Sequence, residues 1–298
     1  MTEPLIVVPL DGSELSEGAL PYAVVLAKAT GARLLLLTAW AGADGELLAT
    51  LPSVPKDLSE RATQHFQEYL AGVAERAKAE RLEVETSVHI GYATDEILRV
   101  LEQRDPRLLV MATHGRSGLS RWLYGSVASK LVREAPVPTL VVGPKVLESG
   151  MPAAGIRRIL VPLDGSALSE SALQPAVELA SKLGASMTLA QVIQLAAQAF
   201  TFGVPEAYVP EIEQKLVEAA EDYLKRVKEG LRATVPVDTV VLRGAPADAL
   251  LSLVDSQQID LVVMASRSRA GLARAFLGSV ADRMLQGAAP VLLIRPEE

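Results

Sequence analysis

The stretch Ile6-Val7-Val8-Pro9-Leu10-Asp11-Gly12-Ser13 decides the fold, because the chain repeats it as Ile159-Leu160-Val161-Pro162-Leu163-Asp164-Gly165-Ser166. In both copies an unbroken apolar run stops at an acidic residue, and a serine in the position of a helix cap follows. Short continuous apolar runs are typical of strands that are buried on both faces, as in a parallel sheet. Each copy therefore predicts a buried strand that ends in a polar turn.

The repeat extends over most of the chain at a constant offset of 153 residues. It links Gly31 with Gly184, Gly91 with Gly244, Met111 with Met264, and Gly125-Ser126 with Gly278-Ser279. A length of 298 residues also suggests two domains, at roughly 100–200 residues per domain. We therefore predict tandem domains at 1–144 and 156–298, joined by a linker at 145–155 where glycine and proline recur.

Short apolar runs alternate with longer helical patterns within each copy. In the first copy they predict strands near 5–10, 33–40, 83–90, 108–112 and 138–142, and helices near 14–29, 57–81, 93–104 and 122–134. Strands separated by helices need crossover connections, which favour a parallel sheet covered on both faces. In such a sheet, ligands bind beyond the carboxyl ends of the strands, where the strand order reverses.

The composition restricts the class of protein. The chain has no cysteine, which excludes disulfides and thiolate metal sites and fits a cytoplasmic location. Its first residues lack the pattern of a signal peptide, and its apolar runs are too short to span a membrane. A net charge of −7 and an aromatic content of only 4% argue against nucleic acid as a partner. Three scattered histidines do not form a metal site.

Two strand ends carry residues with binding chemistry. Asp11 is able to accept hydrogen bonds from a base or a ribose; alternatively, Asp11 and Ser13 only shape the turn and cap the next helix. The fourth strand leads into a loop of small residues over 111–118, and Gly125-Ser126 then opens a helix. Small residues and a helix N-terminus let backbone N–H groups approach phosphate oxygens, although tight turns alone would also explain the glycines.

These residues resemble a known family. The pattern Gly-x2-Gly-x9-Gly-Ser/Thr after the fourth strand, with an aspartate after the first, is that of the ATP-binding universal stress proteins. Here it reads Ala112-x2-Gly115-x9-Gly125-Ser126, and both halves resemble the family. The resemblance implies an α/β fold of two Rossmann-like (adenine nucleotide alpha hydrolase-like) domains, each with a five-stranded parallel sheet of order 3-2-1-4-5. It also implies ATP as the ligand, with Mg²⁺ as a candidate companion ion.

The resemblance also assigns site residues by position. Base and ribose contacts fall on Pro9, Asp11, Ala39 and Met111, and phosphate contacts fall on Ala112, Gly115, Arg116, Gly125, Ser126 and Val127. The second half matches at Pro162, Asp164, Val192, Met264, Ala265, Gly278, Ser279 and Val280. It departs at Ser268, which stands where the first half has Gly115.

Three functions are compatible with these residues. The leading hypothesis is a stress-response or signalling module that holds an adenine nucleotide without rapid turnover, because no general base is evident for a γ-phosphate. A slow ATPase or a nucleotide-dependent transferase on the same fold is the main alternative. The third is an interaction protein with two degenerate sites. The sequence does not identify a protein partner.

The final strand of each half is the expected contact between the halves. We expect an intramolecular pseudo-twofold dimer formed through residues 139–142 and 291–294, since pairing two edge strands protects both of them. The family resemblance favours the same arrangement. Whether two chains then associate as a homodimer stays open.

The difference between Gly115 and Ser268 predicts unequal nucleotide sites. If this position needs a positive φ, serine costs roughly 1–2 kcal/mol there, and the second half should bind ATP about five- to thirty-fold more weakly. Nearby Arg267 and Arg269 act in the opposite direction, but solvent screens their charge. Calorimetry on the two halves expressed separately measures the difference. Equal affinities, or tighter binding by the second half, would show that serine fits without strain.

Overall fold

The computed structural model describes residues 3–41, 58–113, 125–194, 209–266 and 278–295. The chain divides into two compact units, Met1–Met151 and Pro152–Glu298. Each unit is an α/β domain of helices and parallel strands. No helix within the described ranges is both long and apolar enough to cross a bilayer.

The first unit alternates strands and helices as the sequence predicts. Its elements are β1 (Leu5–Pro9), α1 (Glu14–Glu17), α2 (Leu20–Thr30), β2 (Arg33–Trp40), α3 (Leu58–Lys78), β3 (Val84–Ile90), α4 (Ala93–Arg104), β4 (Leu108–Ala112), α5 (Ser126–Glu134), β5 (Thr139–Val142) and α6 (Pro144–Ser149). All of its strand pairs are parallel and give the order β3-β2-β1-β4-β5.

The second unit repeats this plan. Its elements are β6 (Arg158–Leu163), α7 (Ala167–Glu170), α8 (Leu173–Leu183), β7 (Ser186–Ile193), α9 (Val209–Gly230), β8 (Val237–Arg243), α10 (Pro246–Gln257), β9 (Leu261–Ala265), α11 (Ser279–Met284) and β10 (Val291–Ile294). Its parallel pairs give the order β8-β7-β6-β9-β10. Both sheets have the predicted order 3-2-1-4-5, so the fold-class prediction is confirmed.

The first strand of each unit is the centre of its sheet. β1 pairs with β2 on one side and β4 on the other, and Val7 and Val8 in its middle are fully buried. β6 occupies the same position between β7 and β9. The strand order reverses at this central strand, which leaves a crevice between the carboxyl ends of β1 and β4.

The single helix predicted near 14–29 is wrong. The segment forms two helices, and the one-turn α1 ends at Glu17 before α2 begins at Leu20. The second unit is interrupted in the same way between Glu170 and Leu173, although it has Gln174 in place of Pro21, so the proline does not by itself account for the break. The interruption keeps α1 as a separate turn next to the end of β1.

The boundary between the two units lies within the predicted linker 145–155, and residues 144–149 at its start form α6. Pro144 stands in the first turn of α6, where a missing N–H has no cost. Val146 is buried, and Leu147 packs so closely on Gly18 that a side chain at residue 18 would overlap it. This stretch is therefore a packed part of the first unit.

Helix α9 offers a matched test of core burial in the second unit. Leu224 is fully buried, whereas Leu216 on the same helix is 38% exposed. We expect Leu224→Ala to lower the free energy of unfolding by about 2–5 kcal/mol, because it removes buried methyl groups and leaves a cavity. Leu216→Ala should change it by about 0.5 kcal/mol or less. Urea denaturation of both variants tests this, and equal losses would contradict the assigned packing of α9.

Candidate functional site

The carboxylate of Asp11 is fixed by the turn that follows β1. Its Oδ1 accepts hydrogen bonds from the backbone N–H of Ser13 at 3.0 Å and from the Ser13 hydroxyl at 2.6 Å. The Ser13 hydroxyl oxygen in turn accepts from the N–H of Ser16 at 3.1 Å and caps α1. The cap predicted at Ser13 is thus confirmed, and the turn holds the aspartate in one orientation.

The second unit builds the same turn. Asp164 Oδ1 accepts from the N–H of Ser166 at 3.0 Å and from its hydroxyl at 2.5 Å, and that hydroxyl caps α7 through the N–H of Ser169 at 3.1 Å. These distances agree with those in the first unit to about 0.1 Å. The turn geometry therefore follows from the shared Asp-Gly-Ser sequence.

A tyrosine of the long helix lies next to each of these turns, and no motif in the sequence points to it. In the second unit the Tyr223 hydroxyl donates to Glu170, the last residue of α7, at 2.9 Å. Tyr69 has the matching place on α3, beside Ser16 and Glu17. Burial raises the pKa of both tyrosines above their usual value, and the adjacent glutamate raises it further. Both hydroxyls therefore stay protonated at neutral pH.

A cavity of about 230 Å³ lies at the carboxyl ends of β1 and β4 in the first unit. Eight of the ten residues predicted for the first half line it: Pro9, Asp11, Ala39, Met111, Ala112, Gly125, Ser126 and Val127. The other two, Gly115 and Arg116, lie outside the described residues. The fold thus brings the two sequence motifs together around one space, while their contacts with a nucleotide stay predictions.

The remaining walls of the cavity are mostly apolar. They comprise Leu10, Ser16, Leu37, Ala93, Ile97, Thr113, Ala128 and Leu131. Sequence reasoning assigned none of these residues to the site. For Ser16 a signal existed, because Leu15-Ser16-Glu17 recurs as Leu168-Ser169-Glu170. The apolar positions of α4 and α5 have no such signal, since core residues show the same periodicity.

The start of α5 lines the same cavity as Asp11. The N–H of Gly125 donates to the carbonyl oxygen of Thr113 at 2.9 Å, which ties the helix to the end of β4. In the described part of the chain, no side chain caps this helix. The first N–H groups of a helix lack intrahelical partners and favour an anion, so this wall has the chemistry of a phosphate site.

The second unit places its predicted residues at the matching strand ends. Pro162 lies near the end of β6 and Asp164 directly follows that strand, Val192 lies on β7, and Met264 and Ala265 end β9. Gly278 precedes α11, whose first residues are Ser279 and Val280. Ser268 lies outside the described residues. The two helix starts differ in backbone conformation, because φ is −59° at Gly125 and +92° at Gly278.

A polar cluster borders the cavity in the first unit. Ser87 and His89 on β3 pair with the cavity-lining residues Leu37 and Ala39 of β2. His89 Nε2 lies 2.7 Å from the Ser87 hydroxyl, and His89 Nδ1 lies 2.9 Å from Arg99 Nη2 and 3.4 Å from Glu96. Serine, histidine and glutamate in this order resemble a nucleophile, a base and an orienting acid.

The tautomer of His89 argues against that reading. An arginine only donates hydrogen bonds, so Nδ1 accepts from Arg99 and the proton sits on Nε2, facing Ser87. A protonated Nε2 is unable to take the proton of Ser87. The second unit has Val240, Leu242, Ala249 and Ser252 at the positions of Ser87, His89, Glu96 and Arg99 and keeps the same fold.

Comparison with known proteins gives the family. The family model described as the universal stress protein family matches residues 5–143 and again residues 155–295. The chain belongs to the universal stress protein family. Because the match occurs twice, this is a tandem universal stress protein.

Relatives with the same description come from several organisms. A universal stress protein of Mycobacterium tuberculosis is 32% identical over 198 residues, which is 64% of this chain and 62% of that protein. One from Mycolicibacterium smegmatis is 26% identical over 314 residues, covering 99% of this chain and 98% of that one. The crystal structure of a universal stress protein from Archaeoglobus fulgidus has a TM-score of 0.68 at 20% identity and 99% coverage of both chains, so it shows the shared fold.

The glycines at the two helix starts of this universal stress protein should differ in how well they tolerate replacement by alanine. At Gly278 the positive φ is a conformation that side chains rarely adopt, and we expect Gly278→Ala to lower stability by about 1–3 kcal/mol. At Gly125 the backbone is ordinary and an added Cβ would lie 3.5 Å from the Thr113 oxygen, so Gly125→Ala should be nearly neutral. Thermal unfolding of both variants makes the comparison, and equal losses would contradict it.

Proposed function

We propose that this universal stress protein binds an adenine nucleotide in the cavity of its first unit and acts as a nucleotide-responsive stress or signalling module. The observation that carries the proposal is the cavity at the crevice between β1 and β4. Its walls include Asp11, held in one orientation, and the start of α5, which no described side chain caps. Both motifs of the family resemblance meet there.

Each part of the cavity suits one part of a nucleotide. The apolar walls, among them Leu37, Ile97 and Met111, suit the faces of a base. Asp11 suits the ribose, because a carboxylate accepts hydrogen bonds from hydroxyl groups. The start of α5 suits the phosphates through its backbone N–H groups. Asp164 and the start of α11 supply related groups in the second unit, and we propose a weaker site there.

The residues present are also compatible with Mg²⁺. This ion is usually bound by one or two carboxylates together with phosphate oxygens. Asp11 is the one carboxylate among the described residues that line the cavity. In this proposal Asp11 has one of two roles: it accepts hydrogen bonds from the ribose, or it holds the ion together with the phosphate oxygens.

Binding without rapid turnover fits the described part of the cavity better than catalysis does. Phosphoryl transfer needs a group that orients the nucleophile and charges that stabilise the transition state. The described lining residues supply one carboxylate and no lysine or arginine. We also propose the cytoplasm as the location of this role, with which a chain without cysteine is compatible.

Replacing Asp11 tests the proposal. We expect Asp11→Ala to weaken ATP binding by about ten- to a hundred-fold, since hydrogen bonds to a charged group contribute about 1.5–3 kcal/mol. The matched control is Glu102→Ala, which removes an exposed carboxylate of α4 in the same unit and should leave the affinity unchanged. Isothermal calorimetry on the full chain makes both measurements.

Two outcomes would contradict the proposal. If the unaltered chain binds no ATP, or if Asp11→Ala binds as tightly as the control, the cavity is not the nucleotide site. ATP hydrolysis by the unaltered chain clearly above that of Asp11→Ala would instead favour the slow ATPase. The mass of any small molecule that copurifies with the chain would identify the nucleotide.

A further inference from the structure

An ion pair joins the two helices that wall the cavity of the first unit. Asp95 lies in the first turn of α4, and its Oδ1 is 2.7 Å from the amine of Lys130 on α5. The second unit has the same pair between α10 and α11, where Arg283 Nη2 lies 2.5 Å from Asp248 Oδ1. Asp248 and Arg283 follow Asp95 and Lys130 by the repeat offset of 153 residues.

The pair lies on the outer side of the turns that form the cavity wall. Asp95 stands between Ala93 and Ile97 on α4, and both of these line the cavity. Lys130 stands one turn into α5, next to the lining residue Leu131. The side chains of Asp95 and Lys130 are 61% and 39% exposed, so they face solvent. The pair thus connects α4 and α5 where both helices border the cavity.

Stability alone gives a weak reason for the two units to share this pair. Exposed ion pairs contribute about 0–1 kcal/mol to folding. The dipole at a helix N-terminus favours an aspartate in the first turn, but it does not explain the cation on the next helix. The cation also changes from lysine to arginine, so the units share the charge and the contact rather than one side chain. Nearby Glu96 and Arg99 of α4 have no counterpart in the second unit.

We propose that Asp95 and Lys130 are positioning residues of the nucleotide site, and that Asp248 and Arg283 have the same role in the second unit. The pair sets the spacing between α4 and α5, and through it the distance from the apolar wall to the start of α5. The hydrogen bond to Asp95 raises the pKa of Lys130 above its usual value, so the amine stays charged at neutral pH. This inference rests on the proposed nucleotide binding.

Changing both units at once makes the test independent of which site is occupied. In the full chain, Asp95→Asn with Asp248→Asn removes the acids, and Lys130→Gln with Arg283→Gln removes the cations. We expect each double variant to bind ATP about two- to five-fold more weakly, the range of an exposed ion pair. The exchange Lys130→Arg with Arg283→Lys keeps both pairs and should keep the affinity. Melting temperatures should be nearly the same for all three variants.

The variants also separate the competing explanations. If only the cation variant loses affinity, Lys130 contacts the phosphates directly and the positioning role is wrong. If neither variant loses affinity while the unaltered chain binds ATP, this inference is wrong and the proposed function stands. If the unaltered chain does not bind ATP, the proposed function itself fails. A melting temperature that falls in parallel with the affinity would assign the pair to stability alone.

Discussion

The central strand of each unit imposes the constraint on which the rest of the structure depends. β1 has a neighbour on both edges and its middle residues are fully buried, so it has no room for polar side chains along its length. Charged or polar groups in a dry, fully paired strand would lack partners and destabilise the fold. Polar chemistry is therefore confined to the point where the strand stops, which is the Asp-Gly-Ser turn. The crossover connections then bring the end of β4 and the start of α5 to the same place.

Much of this arrangement could be predicted from the sequence, because its causes are local. Apolar runs located all five strands of the first unit within a residue or two, and a single serine identified the cap of α1. The motif residues that line the cavity were assigned by the family resemblance, which also implied the strand order that brings the ends of β1 and β4 together. The tandem architecture followed from the repeat alone.

The errors and omissions have causes that are not local. The break in the helix predicted near 14–29 occurs in both units without a proline that they share there, so no breaker in the sequence pattern marks it. The segment of α6 resembles a linker in sequence because glycine and proline recur in and around it. The contact between Leu147 and Gly18 joins residues that are far apart in sequence and forms only when the chain folds. Asp95 and Lys130 are 35 residues apart and exposed, and no periodicity distinguishes such residues from ordinary surface charges.

The contact between Leu147 and Gly18 has a practical consequence for dissecting the chain. The glycine has no side chain of its own to cover the junction of α1 and α2, and Leu147 takes that place. A fragment cut after residue 144, as the sequence suggested, would leave an uncovered hollow beside α1, which Ser13 caps and which contains Ser16. A fragment continued to Met151 would keep the cover. The first unit thus extends beyond residue 143, where the first family match ends, and its last helix, α6, covers the junction of its first two helices.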